Sequence, residues 1–185
     1  DLDKKMLSSF ININKPIIGV VSAGGNIEMQ SWEPKLNGLL WNWYAGQEGG
    51  TAIAEVLFGK INPSGKLPMT FEKKWEDNPA YNSYHDPDGD KHVAYTEGIF
   101  IGYRGYDKLK REVQYPFGYG LSYTDFKISN FIVSGQNTAG SVEITYKIAN
   151  TGKKDGAQVV QAYVGKIGGN IERPEKELKK FQKVY

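Results

Sequence analysis

Lys15-Pro16-Ile17-Ile18-Gly19-Val20-Val21-Ser22-Ala23-Gly24-Gly25-Asn26 is a short apolar run, rich in β-branched residues and closed by a glycine turn. That profile predicts a strand buried on both faces, as at the centre of a parallel sheet. Downstream, Leu39 to Tyr44 is a second candidate strand, and Gly46-Gln47-Glu48-Gly49-Gly50 interrupts the pattern before Thr51 to Phe58. In that last stretch Ile53, Val56 and Leu57 share one helical face, Thr51 is expected to cap the start and Gly59 to end the helix. Strand, glycine turn, helix and glycine stop, taken in this order, spell an α/β layer with a mostly parallel sheet and flanking helices.

Working outward, Met6, Leu7 and Phe10 fall three and four apart and predict an amphipathic helix over Asp3 to Phe10. Asn62-Pro63-Ser64-Gly65-Lys66 is a turn cluster, followed by a predicted strand from Leu67 to Phe71. Glu72 to Lys91 is polar and irregular, with the look of a functional loop. A further strand is expected from Gly98 to Tyr103. Past Pro116-Phe117-Gly118-Tyr119-Gly120 the pattern turns all-β. Phe126 to Val133, Ser141 to Ala149 and Gln158 to Gly165 are strand-length, and Val142, Ile144, Tyr146 and Ile148 alternate with polar neighbours. Glu172 to Lys183 carries both signs of charge and reads as a solvated face or edge. The texture change places a domain boundary near residue 120, with a sandwich-like module behind it.

The 185 residues amount to one large domain or two small ones, at about 150 residues each. Lys and Arg number 23 against 21 Asp and Glu, so no strongly basic surface points to nucleic acid or an anionic membrane, and no apolar run is long enough to span a bilayer. With no cysteine, disulfides, thiolate metal sites and cysteine nucleophiles are excluded within the chain. The opening Asp1-Leu2-Asp3 lacks an initiator Met and a leader, as expected of a processed form or a piece of something longer.

Asp86, Asp88, Asp90 and Glu97 mimic the spacing of a calcium loop, but Lys91 stands where that loop needs glycine, so a solvated acidic turn is the better reading. His85 and His92 lack a third zinc ligand and read as surface histidines. Gly46 to Gly50 precedes a helix, yet Glu48 would repel a phosphate there; Glu48 reads as a cap of the helix or as an active-site carboxylate, with the cap favoured. Trp41 and Trp43, with Trp32 and Tyr44 nearby, read either as a stacking platform for a sugar ring or as aromatic filling between sheet and helix.

Read together, these stretches resemble the C-terminal half of glycoside hydrolase family 3, the β-glucosidases and β-xylosidases. The resemblance is carried by Gly25-Asn26-Ile27-Glu28-Met29, Trp43-Tyr44-Ala45-Gly46-Gln47-Glu48-Gly49-Gly50, Ala52 to Gly59, and Asn62-Pro63-Ser64-Gly65-Lys66-Leu67-Pro68. It continues through Glu97 to Asp107, Tyr115 to Thr124, Asn150-Thr151-Gly152 and Arg173 to Leu178, with Ala45 in place of the family's usual proline. It implies that residues 1–117 are the closing part of the family's α/β sandwich domain and that 118–185 are the opening strands of its fibronectin type III-like domain. It also implies retaining hydrolysis of terminal β-linked sugars without metal or organic cofactor. The Asp nucleophile then lies in an N-terminal TIM barrel and the Glu acid/base precedes the strand at Lys15 to Ser22, so no catalytic residue is expected on this chain. Neither Glu28 nor Glu48 matches the acid/base position. The implied partners are the barrel and a sugar substrate, and the unpaired sandwich edges would favour self-association. A non-catalytic carbohydrate-binding or scaffold module is the alternative.

Overall fold

The computed structural model describes residues 5, 9, 10, 14–86, 88–135 and 141–185. Among them the chain is sheet-rich, with eight strands in two-stranded sheets and two short α-helices. The helix expected over Asp3 to Phe10 lies mostly outside the described residues; Lys5, Ser9 and Phe10 are helical. No described helix is long and apolar enough to cross a membrane.

Strand β1 (Ile18–Val21) pairs in parallel with β2 (Gly38–Trp41), Ile18 opposite Gly38 and Val21 opposite Trp41. The parallel pairing agrees with the sequence, but burial on both faces does not: Ile18 and Val20 are 55% and 39% exposed. Ile18 and Val20 share one face of the strand, which is left open among the described residues, while Gly19 and Val21 on the other face are half-buried. Strand β2 ends at Trp41 rather than Tyr44, because Trp43 takes φ +53° and leaves the extended region.

Helix α1 (Gly49–Leu57) starts two residues earlier than predicted, with Glu48 at its N-cap position. Thr51 therefore sits inside the first turn, and its hydroxyl donates to the Glu48 carboxylate at 3.4 Å instead of capping. Gly59, at φ +71°, takes the left-handed geometry that ends the helix.

Strand β3 (Phe71–Glu72) pairs antiparallel with β4 (Val113–Tyr115). The predicted strand from Leu67 is cut to its end because Pro68 has no N–H to donate. Leu67 instead exchanges backbone hydrogen bonds with the segment Gly118-Tyr119, at 2.8 Å each. The strand expected from Gly98 to Tyr103 is absent: Gly98 and Gly102 adopt φ +56° and +54°, the chain turns, and helix α2 (Tyr103–Leu109) follows. Between β3 and α2 the described residues of the polar segment carry a single 3-10 turn at Trp75–Asp77 and otherwise loop.

From Phe126 onward every described element is an antiparallel strand. Strand β5 (Phe126–Ser134) pairs with β6 (Glu143–Asn150), with a bulge near Asn130, whose φ is +51°. Along β6, Ile144, Tyr146 and Ile148 are half-buried while Glu143, Thr145 and Lys147 are exposed, as the alternation predicts; Val142, just ahead of the strand, is exposed. Strand β7 (Gln158–Val164) pairs with β8 (Glu177–Val184), which makes the charged run before the C-terminal residue an edge strand.

The most deeply buried side chains are Met29 and Phe71, each 1% exposed. Phe71 meets Trp41 edge-on with ring centroids 4.6 Å apart, Trp43 at 6.1 Å and Tyr115 at 6.5 Å. This aromatic core joins the parallel pair to the β3–β4 pair.

Candidate functional site

Ligands of open α/β sheets bind beyond the carboxyl ends of parallel strands, where the connecting loops diverge. In this chain those loops are 22–26 after β1 and 42–48 after β2. They are tied together by the Asn42 side-chain amide, which donates to the Ser22 hydroxyl at 3.3 Å. The first loop is anchored from below: the Asn26 side-chain amide donates to the Glu72 backbone carbonyl at 3.1 Å.

The second loop turns at Trp43, whose positive φ costs backbone energy that its packing on Phe71 offsets. The turn throws Tyr44 outward, 84% exposed, with its ring against Gly24. A Cβ at Gly24 would lie 2.6 Å from the Tyr44 ring, so glycine is what lets the two loops approach. Gln47 and Glu48 follow, both exposed. The Glu48 carboxylate bonds no backbone N–H of helix α1, so it occupies the cap position without making the capping bond.

Trp41 and Trp43 are half-buried and packed in an aromatic cluster, not arrayed side by side as one platform. They contact each other edge-on at 6.2 Å and both contact Phe71. Phe71 on β3 is the ring that both of them meet. Trp32 lies elsewhere and donates its indole N–H to the Glu28 carbonyl at 3.0 Å.

Two carboxylates without a sequence signature pair with tyrosines across the fold. Glu72 on β3 is buried and accepts the Tyr106 hydroxyl at 3.0 Å; burial, with the neighbouring Glu72 charge second, holds the Tyr106 phenol far above its ordinary pKa. Glu33 accepts from both the Tyr115 hydroxyl and the Gln114 amide, and burial followed by that bond raises Tyr115 as well. Such pairs become visible only once β3, β4 and α2 are assembled, since their members are far apart in sequence.

The acidic turn is formed as expected. Asp86 accepts the N–H groups of Gly89 and Lys91, Asp88 that of Asp90, and Asp90 that of His92. The Lys91 bond foremost holds Asp86 below its ordinary pKa. Asp86, Asp88 and Asp90 bring oxygens within 4.8 Å of one another, but Glu97 is engaged by the Ser83 hydroxyl at 2.7 Å and does not complete a loop ligand set. His85 packs edge-on to Tyr84, and His92 is exposed. A separate open cavity of about 410 Å³ is lined by Gln30, Lys73, Lys74, Asp77, Arg111 and Glu112. Its charges are largely answered from within, Lys73 by Glu112 at 2.6 Å and Arg111 by the Asp77 carbonyl at 2.6 Å.

Residues 1–103 match the family model described as the glycosyl hydrolase family 3 C-terminal domain. The chain is 44% identical over 183 residues to a putative β-glucosidase of Schizosaccharomyces pombe, a match covering 99% of this chain and 21% of the relative. It is 39% identical to a β-glucosidase of Bacteroides ovatus, covering 97% of this chain and 24% of that one. Among solved structures, β-glucosidase 3B from Thermotoga neapolitana in complex with glucose superposes with a TM-score of 0.90 at 41% identity, over 100% of this chain and 26% of the other. The chain thus spans about a quarter of the length of these proteins.

Proposed function

The chain belongs to glycosyl hydrolase family 3, and from that membership we propose that it forms the C-terminal part of a retaining, exo-acting β-glycosidase of the β-glucosidase kind. The observation that carries this reading is the match along nearly the whole chain to proteins named as β-glucosidases, at 39% to 44% identity. The T. neapolitana structure, solved with glucose, supports a sugar as the substrate class.

In this reading an Asp attacks the anomeric carbon while a Glu protonates the leaving oxygen, and water then releases the sugar. The two carboxyl groups must stand roughly 5 to 5.5 Å apart, one ionised and one protonated. Both belong to sequence N-terminal to the residues described here, the Asp to a TIM barrel. Residues 1–117 act as the closing part of an α/β sandwich domain, whose loops after β1 and β2 form one wall of the cleft. Residues 118–185 act as the opening strands of a fibronectin type III-like brace. Support for that division comes from the parallel pair and α1 on one side and the run of antiparallel strands on the other.

The test is turnover of an aryl β-glucoside. The 185-residue chain alone is expected to be inactive, and the longer protein containing it active. Activity of the chain alone, abolished by Glu48→Gln, would overturn the assignment and make Glu48 catalytic. Titration of the chain with cello-oligosaccharides is expected to give no saturable heat, since Trp41 and Trp43 are half-buried and held edge-on against Phe71.

A further inference from the structure

Among the described residues the strands after residue 120 are fastened to the rest of the chain by two clusters of different chemistry, beside a single bond from the Gln161 side-chain amide to the Gly118 carbonyl at 3.1 Å. At the first, the Asn62 carbonyl oxygen accepts the Tyr123 N–H at 2.8 Å and the Ser122 hydroxyl at 3.0 Å, while its amide donates to the Asp155 carbonyl at 3.0 Å. The Tyr123 hydroxyl adds a bond to the Val56 carbonyl, and the Lys154 ammonium one to the Gly59 carbonyl. Apart from that ammonium, the groups are uncharged.

At the second, helix α2 faces the segment leading into β8 with a row of ion pairs. Arg104 meets Glu177 at 3.3 Å, Asp107 meets Lys176 at 2.8 Å, Lys108 meets Glu172 at 2.9 Å, and Lys110 meets Glu175. The Leu178 N–H donates to the Tyr103 hydroxyl at 2.8 Å at the end of the row. Pro174 is the buried residue within the segment.

We propose that helix α2 and residues 172–178 form a salt-sensitive clasp, which opens locally as ionic strength rises while the Asn62 fastening holds. Single exposed pairs contribute little, but four on one short helix add, and all are accessible to screening ions. The screening length drops from about 10 Å at 0.1 M salt to about 3 Å at 1 M, within reach of these pairs. Hydrogen bonds between uncharged groups have no comparable dependence. The helix that bears the clasp also carries Tyr106, bonded to the buried Glu72, so opening loosens the support of β3.

Amide hydrogen exchange of the full 185-residue chain in increasing NaCl tests this. Residues 103–110 and 172–178 are expected to exchange several-fold faster in high salt, with Tyr123 and Thr124 unchanged. No change at the clasp, or an equal change at both fastenings, overturns the proposal. Asp107→Lys is expected to bring fast exchange already at low salt. Adding Lys176→Asp makes the helix face uniformly basic and its partner more acidic, and is expected to restore protection. Failure of the double variant to recover, with β1 and β2 still protected as a sign of folding, also overturns it.

Discussion

The Tyr106 hydroxyl on α2 donates to the Glu72 carboxylate on β3 at 3.0 Å, with both residues under a tenth exposed. It joins residues 34 positions apart and ties the helix to the sheet that holds the aromatic core. A buried carboxylate deprived of its donor is costly, so Tyr106→Phe is expected to destabilise by about 1.5–3 kcal/mol. Glu72→Gln, which keeps an acceptor, is expected to cost less. Urea unfolding of the two variants checks the order. The raised Tyr106 pKa adds a sign: this contribution is whole below the ordinary 10.0 and declines as pH climbs above it.

Gly105 is inside helix α2, where replacing glycine by alanine ordinarily gains about 0.5–1 kcal/mol. Here an added Cβ would lie 2.2 Å from the Phe100 carbonyl oxygen and 2.5 Å from Pro79. Backbone cannot swing aside as a side-chain tip can, so the steric effect wins. Gly105→Ala is expected to lower the unfolding midpoint, by about 1–3 kcal/mol of stability.

Phe71 is the hub on which Trp41 and Trp43 meet. Phe71→Ala leaves a cavity between the two sheets and is expected to cost about 3–5 kcal/mol, with a red shift of tryptophan emission as water reaches the indoles. Phe71→Leu is expected to cost clearly less. Equal losses for the two would show that the ring contacts with Trp41 and Trp43, and not the volume filled, carry the stabilisation.

The ion pairs of α2 also carry a pH signature. The Lys110 bond holds Glu175 below its ordinary 4.5, and Lys179, ahead of Arg104 and Arg173, does the same for Glu177. Glu175 in turn raises Lys110 above 10.5. Depressed carboxyl groups stabilise above 4.5 and stop doing so as pH falls through their lowered values; the raised ammonium stops as pH rises past 10.5. Arg104, Asp107, Lys108, Glu172, Arg173 and Lys176 share the interface. Protection of residues 172–178 is therefore expected to be flat between these limits and to fall below the acid one, which exchange measured across pH will report.

Much of the fold was legible beforehand. The β-branched run before Ala23 and the helical face of Ile53, Val56 and Leu57 gave their elements, since period and turn residues act locally. The alternation through Ile144, Tyr146 and Ile148 did the same for β6. The misses share a cause. Ile99, Phe100 and Ile101 look like a strand, yet two glycines at positive φ turn the chain and Tyr103 begins a helix. Propensity there was overruled by backbone geometry and by packing against Pro79. At the loops after β1 and β2, sequence could nominate Glu48 and Trp43 but not say that one caps nothing and the other is packed edge-on.

By itself the sequence determined the family, helix α1, most of the strands and the absence of cysteine chemistry, because these depend on residue identity and short-range spacing. The tertiary structure alone decided which distant side chains meet: Tyr106 with Glu72, Tyr115 with Glu33, Asn62 with Tyr123, and α2 with the segment before β8. Such pairs are set by how the sheets and helices pack, and short-range periodicity contains no information about contacts made tens of residues apart.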